Sequence, residues 1–263
     1  MTKVVLLSFD LEEFDIPEEY GQPIENTVKF TVSLKGLETL IPLLERLQIR
    51  ATFFVTANFA MHYPSVVRSL AQTHEIASHG LYHGSFAIPD LRHSKDVLEE
   101  ITKTEIKGFR MARLQTVSDQ AILEAGYAYN SSMNPTYLPG RYNNLRQRRT
   151  AFYSQQLLQI PVSVMPFIRF PLFWLSFKNL PLLMYKAASL LTLQFDQYLN
   201  LYFHPWEFTD LTAFSLPSYV KRYSGRLMLL RLERYLTWLQ PQAKFITFAE
   251  FKPIEANAIC QSI

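Results

Sequence analysis

Residues 75–83 read Glu75-Ile76-Ala77-Ser78-His79-Gly80-Leu81-Tyr82-His83. Glu75 to Ser78 has the character of a short strand, and two histidines follow at i and i+4. On a helical turn that spacing sets both imidazoles on one face, where they can share a metal ion. A strand running straight into chemistry-bearing side chains is the arrangement of α/β enzymes. Histidines four apart also arise by chance on surface helices, and a metal site needs at least a third ligand. The pair therefore directs attention outward, to that ligand and to a group that can move protons.

Outward from the pair, short apolar runs alternate with helical periodicity. Val4 to Phe9 is β-rich and continuously apolar, as in a strand buried on both faces. It ends in Asp10-Leu11-Glu12-Glu13-Phe14-Asp15, a cluster of carboxylates. Thr27 to Gln48 reads as a helix, with Leu34, Leu37, Leu40, Ile41, Leu44 and Leu47 at helical spacing. Ala51 to Val55 is a second strand and Pro64 to Gln72 a second helix. After the histidines, Ser94 to Thr104 is helical, and Lys107-Gly108-Phe109-Arg110 is a strand ending in a charge. Ser118 to Gly126 is a helix with Ser118 as N-cap and Gly126 just past its end. Tyr127 to Ser131 and Leu157 to Val164 are strands on either side of a loop, Asn134 to Arg149. The aromatic stretch Phe167 to Gln194 holds one or two helices. Leu199 to Phe203 is a strand stopped by His204-Pro205-Trp206. Tyr219 to Gln240 reads as one long helix, Phe245 to Thr247 as a last strand, and Thr247 to Phe251 as a final helical turn. Repeated β–α units argue for a parallel barrel or a doubly wound sheet.

The chain has 263 residues, 48% of them hydrophobic, enough for a sizeable core. Aromatics reach 14%; they suit either a filled core or a surface that grips sugar rings. A formal charge of +3 is too mild to imply nucleic acid. The densest basic run holds Arg141, Arg146, Arg148 and Arg149, a solvated face or a contact for an anionic, phosphate-linked substrate. The single cysteine, Cys260, excludes an internal disulfide and a cysteine zinc site. Met1 to Asp10 does not read as a signal peptide, so a cytoplasmic protein is expected. No stretch has the uninterrupted apolar length of a membrane span, while residence on a membrane surface stays open.

Four strand ends carry polar groups in chain order: Asp10 with Glu12, His79 with His83, Arg110, and His204. In a parallel barrel such ends converge on one mouth. Phe9-Asp10-Leu11-Glu12, Ser78-His79-Gly80-Leu81-Tyr82-His83, Gly108-Phe109-Arg110 and Leu201-Tyr202-Phe203-His204 resemble the motifs of the polysaccharide deacetylases, whose NodB-type fold is a distorted parallel (β/α) barrel. The resemblance covers roughly Val4 to Phe208, and Thr247-Phe248-Ala249-Glu250 resembles the family's usual ending. It implies a single NodB-like domain over 1–263.

The resemblance also implies roles. His79, His83 and Glu12 would bind a divalent metal, zinc foremost, with cobalt, nickel or manganese as alternatives. Asp10 would be the general base, Arg110 its ion-pair partner, and His204 the general acid. Trp206 is a candidate for stacking on a sugar or a plain core residue. The expected substrate is an N-acetylated sugar of a polysaccharide or glycan precursor, nucleotide- or lipid-linked carriers included; nucleic acid is not expected. Three departures stand out. Leu11 fills the place where many members have a second Asp, so the third ligand falls to Glu12, with Glu13 as rival. Met111-Ala112-Arg113 follows Arg110 where Pro is usual. Asn130 replaces a common Asp, a charge that Asp196 could supply. Two alternatives follow: a metal-free amidohydrolase on the same fold, and a catalytically silent carbohydrate-binding member.

Overall fold

A computed structural model describes residues 2–253. Cys260 lies outside the described residues. In chain order the elements are β1 (Val4–Leu11), α1 (Ile16–Glu19), α2 (Asn26–Arg46), β2 (Thr52–Val55), α3 (Ala57–His62), α4 (Pro64–Leu70) and β3 (Glu75–Ser78). There follow α5 (Pro89–Thr102), β4 (Gly108–Phe109), α6 (Asp119–Glu124), β5 (Tyr129–Asn130), β6 (Tyr137–Leu138), β7 (Tyr142–Asn143), β8 (Phe152–Ser154) and β9 (Leu157–Gln159). Last come α7 (Trp174–Asn179), α8 (Leu182–Asp196), β10 (Tyr198–Phe203), α9 (Ser218–Lys221), α10 (Arg226–Leu239) and β11 (Lys244–Ile246).

The main sheet runs β10-β1-β2-β3-β4-β5-β9-β8, parallel throughout except for the closing β8–β9 hairpin. It curls into a distorted half-barrel, the expected fold class. Its two ends approach where Ser163 N donates to Asn200 O at 3.1 Å and Asn200 N donates to Ser163 Oγ at 2.8 Å. Strand β1 is the hub. One edge pairs with β10 over Val4–Phe9; the other pairs with β11 over Val4–Leu6 and then with β2 over Ser8–Leu11.

Successive side chains on a strand point to opposite faces. On β1, Val5, Leu7, Phe9 and Leu11 join the large core beneath the helices, whereas Leu6 joins the smaller core inside the curl. The even positions Leu6, Ser8, Asp10 and, just past the strand, Glu12 therefore climb the inner face toward its mouth. That alternation puts the two carboxylates on one side.

Several boundaries differ from the sequence reading. Helix α5 begins at Pro89, since a proline at the first helical turn gives up no hydrogen bond. A short helix, α3, was not legible; Thr56 caps it by accepting from Phe59 N at 3.3 Å. Residues 134–149 contain the β6–β7 hairpin. The stretch expected to form one helix over 219–240 breaks at Tyr223 and Gly225, whose φ values are +52° and +59°. Thr247–Phe251 is a turn held by Glu250 N donating to Thr247 O. Among the described residues no helix is long and apolar enough to cross a membrane.

Candidate metal centre and active-site cleft

The two histidines reach one another without a helix, which corrects the i, i+4 argument. His79 extends β3, its N–H donating to Val55 O at 2.9 Å. Gly80 then turns the chain at φ +85°, a conformation that L side chains rarely adopt. The loop is pinned onto α3 by Ala57 N and Asn58 N donating to Gly80 O and Leu81 O. His83 comes back on the return limb of that loop.

Glu12 Oε2 lies 3.0 Å from His79 Nε2 and 3.1 Å from His83 Nε2. Ligand atoms of the three side chains all fall within 4.8 Å of one another, and all three residues are buried. Ligands about 2.1 Å from a common ion sit about 3.0 to 3.4 Å apart in octahedral or tetrahedral geometry, so the two Glu12–histidine distances fit. The outer nitrogens fit too. His79 Nδ1 lies 2.8 Å from Arg110 O, which fixes the tautomer that leaves Nε2 free to ligate. His83 Nδ1 lies 2.8 Å from Asp15 Oδ2, and Arg113 Nη2 donates to the same oxygen at 3.1 Å. Glu13, the rival ligand, points elsewhere: its carboxylate accepts from Thr56 Oγ1 at 2.7 Å and from Asn58 Nδ2.

Asp10 stands next to this trio, Oδ2 4.0 Å from His79 Nε2. Its other oxygen accepts from Arg110 Nη1 at 2.6 Å. Arg110 is fully buried: it also donates to Ser8 Oγ, Ser131 O and Ser131 Oγ, and its guanidinium lies 4.0 Å over the Phe54 ring. His204 faces the trio from β10, Nε2 3.9 Å from Glu12 Oε1. Glu207 Oε1 accepts from His204 N at 2.8 Å and lies 3.2 Å from its Nδ1.

Burial disfavours the charged forms of Glu12, His83 and His204, but their neighbours favour them. Burial pushes the Glu12 carboxyl up; the attraction of His83 and His204 and the His79 hydrogen bond outweigh it and hold it below the usual range. Burial depresses His83, yet Glu12 and Asp15 raise it to about 9. His204 is likewise raised by Glu12 and Glu207 against burial.

The cleft over these residues has a volume of about 260 Å³. Its walls include Tyr142, Trp174, Tyr202 and Arg141. Trp206 is not a sugar platform: it is 0% exposed, stacks on His204 at 4.8 Å and donates from Nε1 to Glu12 Oε1 at 3.3 Å. Trp174, which lines the cleft and meets His204 edge-on at 5.2 Å, is the aromatic within a substrate's reach. Of the basic run, Arg141 alone lines the cleft, paired with Glu19 at 2.7 Å. Arg149 pairs with Asp196, just ahead of the first residue of β10, and Arg148 shares a surface depression with Asp196 and Tyr198. Both therefore sit at the opposite end of the barrel from His204, which removes them from a phosphate-carrier contact in the cleft. Asp196 cannot stand in for the missing charge at Asn130 for the same reason. Asn130 instead accepts from Ser132 N and donates to Gln159 Oε1, a structural role. Asp15, Arg113, Trp174 and Glu207 were not singled out as site residues from the sequence.

Residues 2–129 match the family described as polysaccharide deacetylase. That span holds the first three motifs but not His204. No curated protein matches the chain. Among solved structures, an inferred polysaccharide deacetylase from Mycobacterium smegmatis superposes with TM-score 0.63 at 17% identity, covering 95% of this chain and 89% of that one. Puue allantoinase gives 0.66 at 14%, covering 94% and 88%. A CE4 family pseudoenzyme from Bacillus anthracis gives 0.53 at 11%, covering 95% and 65%. The fold is common to all three, and the family match bears out the resemblance read from the strand-end motifs.

Proposed function

Residues 2–129 carry the polysaccharide deacetylase signature, and from that premise we propose that the protein removes acetyl groups from N-acetylated sugars of a glycan or glycan precursor. The observation that supports this most is the placement of Asp10 and His204 on two sides of the Glu12/His79/His83 trio, facing one cleft. Glu12, His79 and His83 would hold a divalent metal, zinc being suited to two imidazoles and a carboxylate; when bound it polarises the acetyl oxygen and acidifies water.

The remaining steps belong to the chain's own groups. Arg110 holds one oxygen of Asp10, leaving the other oxygen to take a proton from the attacking water. His204, positioned by Glu207 and raised by its acidic neighbours against burial, gives its Nε2 proton to the departing sugar nitrogen. Trp174 and Tyr142 supply ring faces for the sugar. Trp206 fixes the Glu12 carboxylate from behind.

The test is acetate release from N-acetylated oligosaccharides, with metal content measured for wild type, Glu12→Ala and His79→Ala. Metal-dependent release is expected, with metal lost from both variants. Release that persists after metal is stripped would favour the metal-free amidohydrolase. No release from any substrate at full metal loading would favour the silent member. Undiminished metal in Glu12→Ala would overturn that ligand.

A further inference from the structure

The solvent face of α8 is apolar apart from Gln194 near its C-terminal end. Leu183, Met184, Ala187, Leu190, Leu191 and Phe195 are exposed at helical spacing, while Tyr185, Ala188, Ser189, Thr192 and Leu193 pack inward. A surface helix usually carries polar residues on that outer face. Beside its C-terminal end a tight turn projects between Val164 and Pro171, closed by Met165 N donating to Phe170 O and Arg169 N donating to Met165 O. At its tip Phe167 and Ile168 are 81% and 68% exposed, and the Phe167 ring meets Phe195 edge-on at 5.2 Å. Through the Phe167–Phe195 contact, stripe and tip form one continuous apolar surface.

Charge says what covers it. No aspartate or glutamate occurs anywhere between Glu124 and Asp196, whereas that interval holds seven lysines and arginines. Arg169 turns back to donate to Gln147 O at 2.8 Å, which brings the exposed Arg146 and Arg148 beside the Phe167–Ile168 tip. Lys186 emerges next to the stripe. The carboxylates beside α8 are already engaged, Asp196 by Arg149, Glu250 by Arg50 and Glu233 by Arg46. An apolar wedge with a basic rim and neutralised acids complements an anionic lipid headgroup layer over an acyl interior. At fifteen residues α8 is about 22 Å long and lies along a surface rather than across it.

We propose that α8 and the Phe167–Ile168 tip dock the protein on the surface of an anionic lipid bilayer. The proposal does not depend on the deacetylase reading. It is tested by co-sedimentation of the full chain with vesicles of phosphatidylcholine alone and of phosphatidylcholine mixed with phosphatidylglycerol. Binding is expected to the mixed vesicles only, and to weaken as salt rises. The Arg146→Gln/Arg148→Gln double variant should partition roughly thirtyfold less, from the worth of two basic side chains at such a surface. Phe167→Ser/Ile168→Ser should abolish binding while circular dichroism and thermal midpoint stay at wild-type values. Failure of wild type to bind anionic vesicles, or equal binding to neutral ones, overturns the proposal. So does a wild-type dimer in light scattering that Leu190→Ser/Leu191→Ser converts to monomer, which would assign the face to a second copy of this chain.

Discussion

The Lys178→Met substitution removes a charge from beneath the candidate general acid. Lys178 Nζ lies 3.3 Å from Glu207 Oε2, and neither side chain has any exposure. Lys178 also donates to Val220 O at 2.9 Å and lies 5.6 Å from the rings of Trp174 and Trp206. Methionine keeps most of the stem's volume and leaves the Glu207 carboxylate buried without its partner. Breaking one side of such a pair costs about 3–5 kcal/mol, a large part of a typical domain's stability. Removing both charges in Lys178→Met/Glu207→Gln leaves no orphaned ion, so the double variant should be more stable than the sum of the singles by about 2 kcal/mol. Urea denaturation of the four proteins measures the cycle. Activity gives a second readout. Without the ammonium, Glu207 raises His204 further, so the alkaline limb of the pH–rate profile should move up. A Lys178→Met protein within about 0.5 kcal/mol of wild type, with additive singles, would refute the idea that this pair is electrostatically coupled.

Gly36 on α2 is a second pressure point: a Cβ there would lie 1.8 Å from Pro205 O, so Gly36→Ala must push α2 off the residue after His204. A loss of about 2–4 kcal/mol in denaturant titration and a fall in kcat are expected. In the metal-free protein His83 is raised from 6.5 to about 9. Its contribution is therefore fully present below pH 6.5 and lost as pH rises through about 9. Urea midpoints in chelator should drop across that window by roughly 3 kcal/mol of stability, and a flat profile would contradict the assignment. Asp10→Asn should lower kcat at least about a hundredfold while metal content stays at the wild-type level, which separates a base from a ligand.

The sequence made the strand-end groups legible because each follows an apolar run that must be buried: Asp10 and Glu12 after Val4–Phe9, His79 after Ile76–Ala77, Arg110 after Phe109, His204 after Leu199–Phe203. Period-two alternation alone sufficed to place Asp10 and Glu12 on one face. The groups that orient them were hidden, because no local pattern links them. Asp15 serves a histidine 68 positions away, and Lys178 reaches Glu207 from another helix. The histidine pair was found through helical spacing but is built by a glycine turn, so the residues were right and the geometry was not. Trp206 shows the opposite limit: its position next to His204 was evident, yet which way an indole faces after a strand depends on α2 and α9 packed behind it. The break of the 219–240 helix came from Tyr223 in a left-handed conformation, which no apolar periodicity announces.

Strand β1 is laced to three neighbours and delivers Asp10 and Glu12 from the most heavily bonded part of the sheet, whereas His83 hangs on a loop held by a few bonds to α3. Local opening follows such differences in anchoring. An ion coordinated by Glu12, His79 and His83 would thus exchange through excursions of the Gly80–His83 loop while the barrel stays closed. The off-rate of metal would then track proton exchange of the loop amides, not the unfolding rate of the protein, and Asn58→Pro, which removes the N–H that donates to Leu81 O, would change loading kinetics.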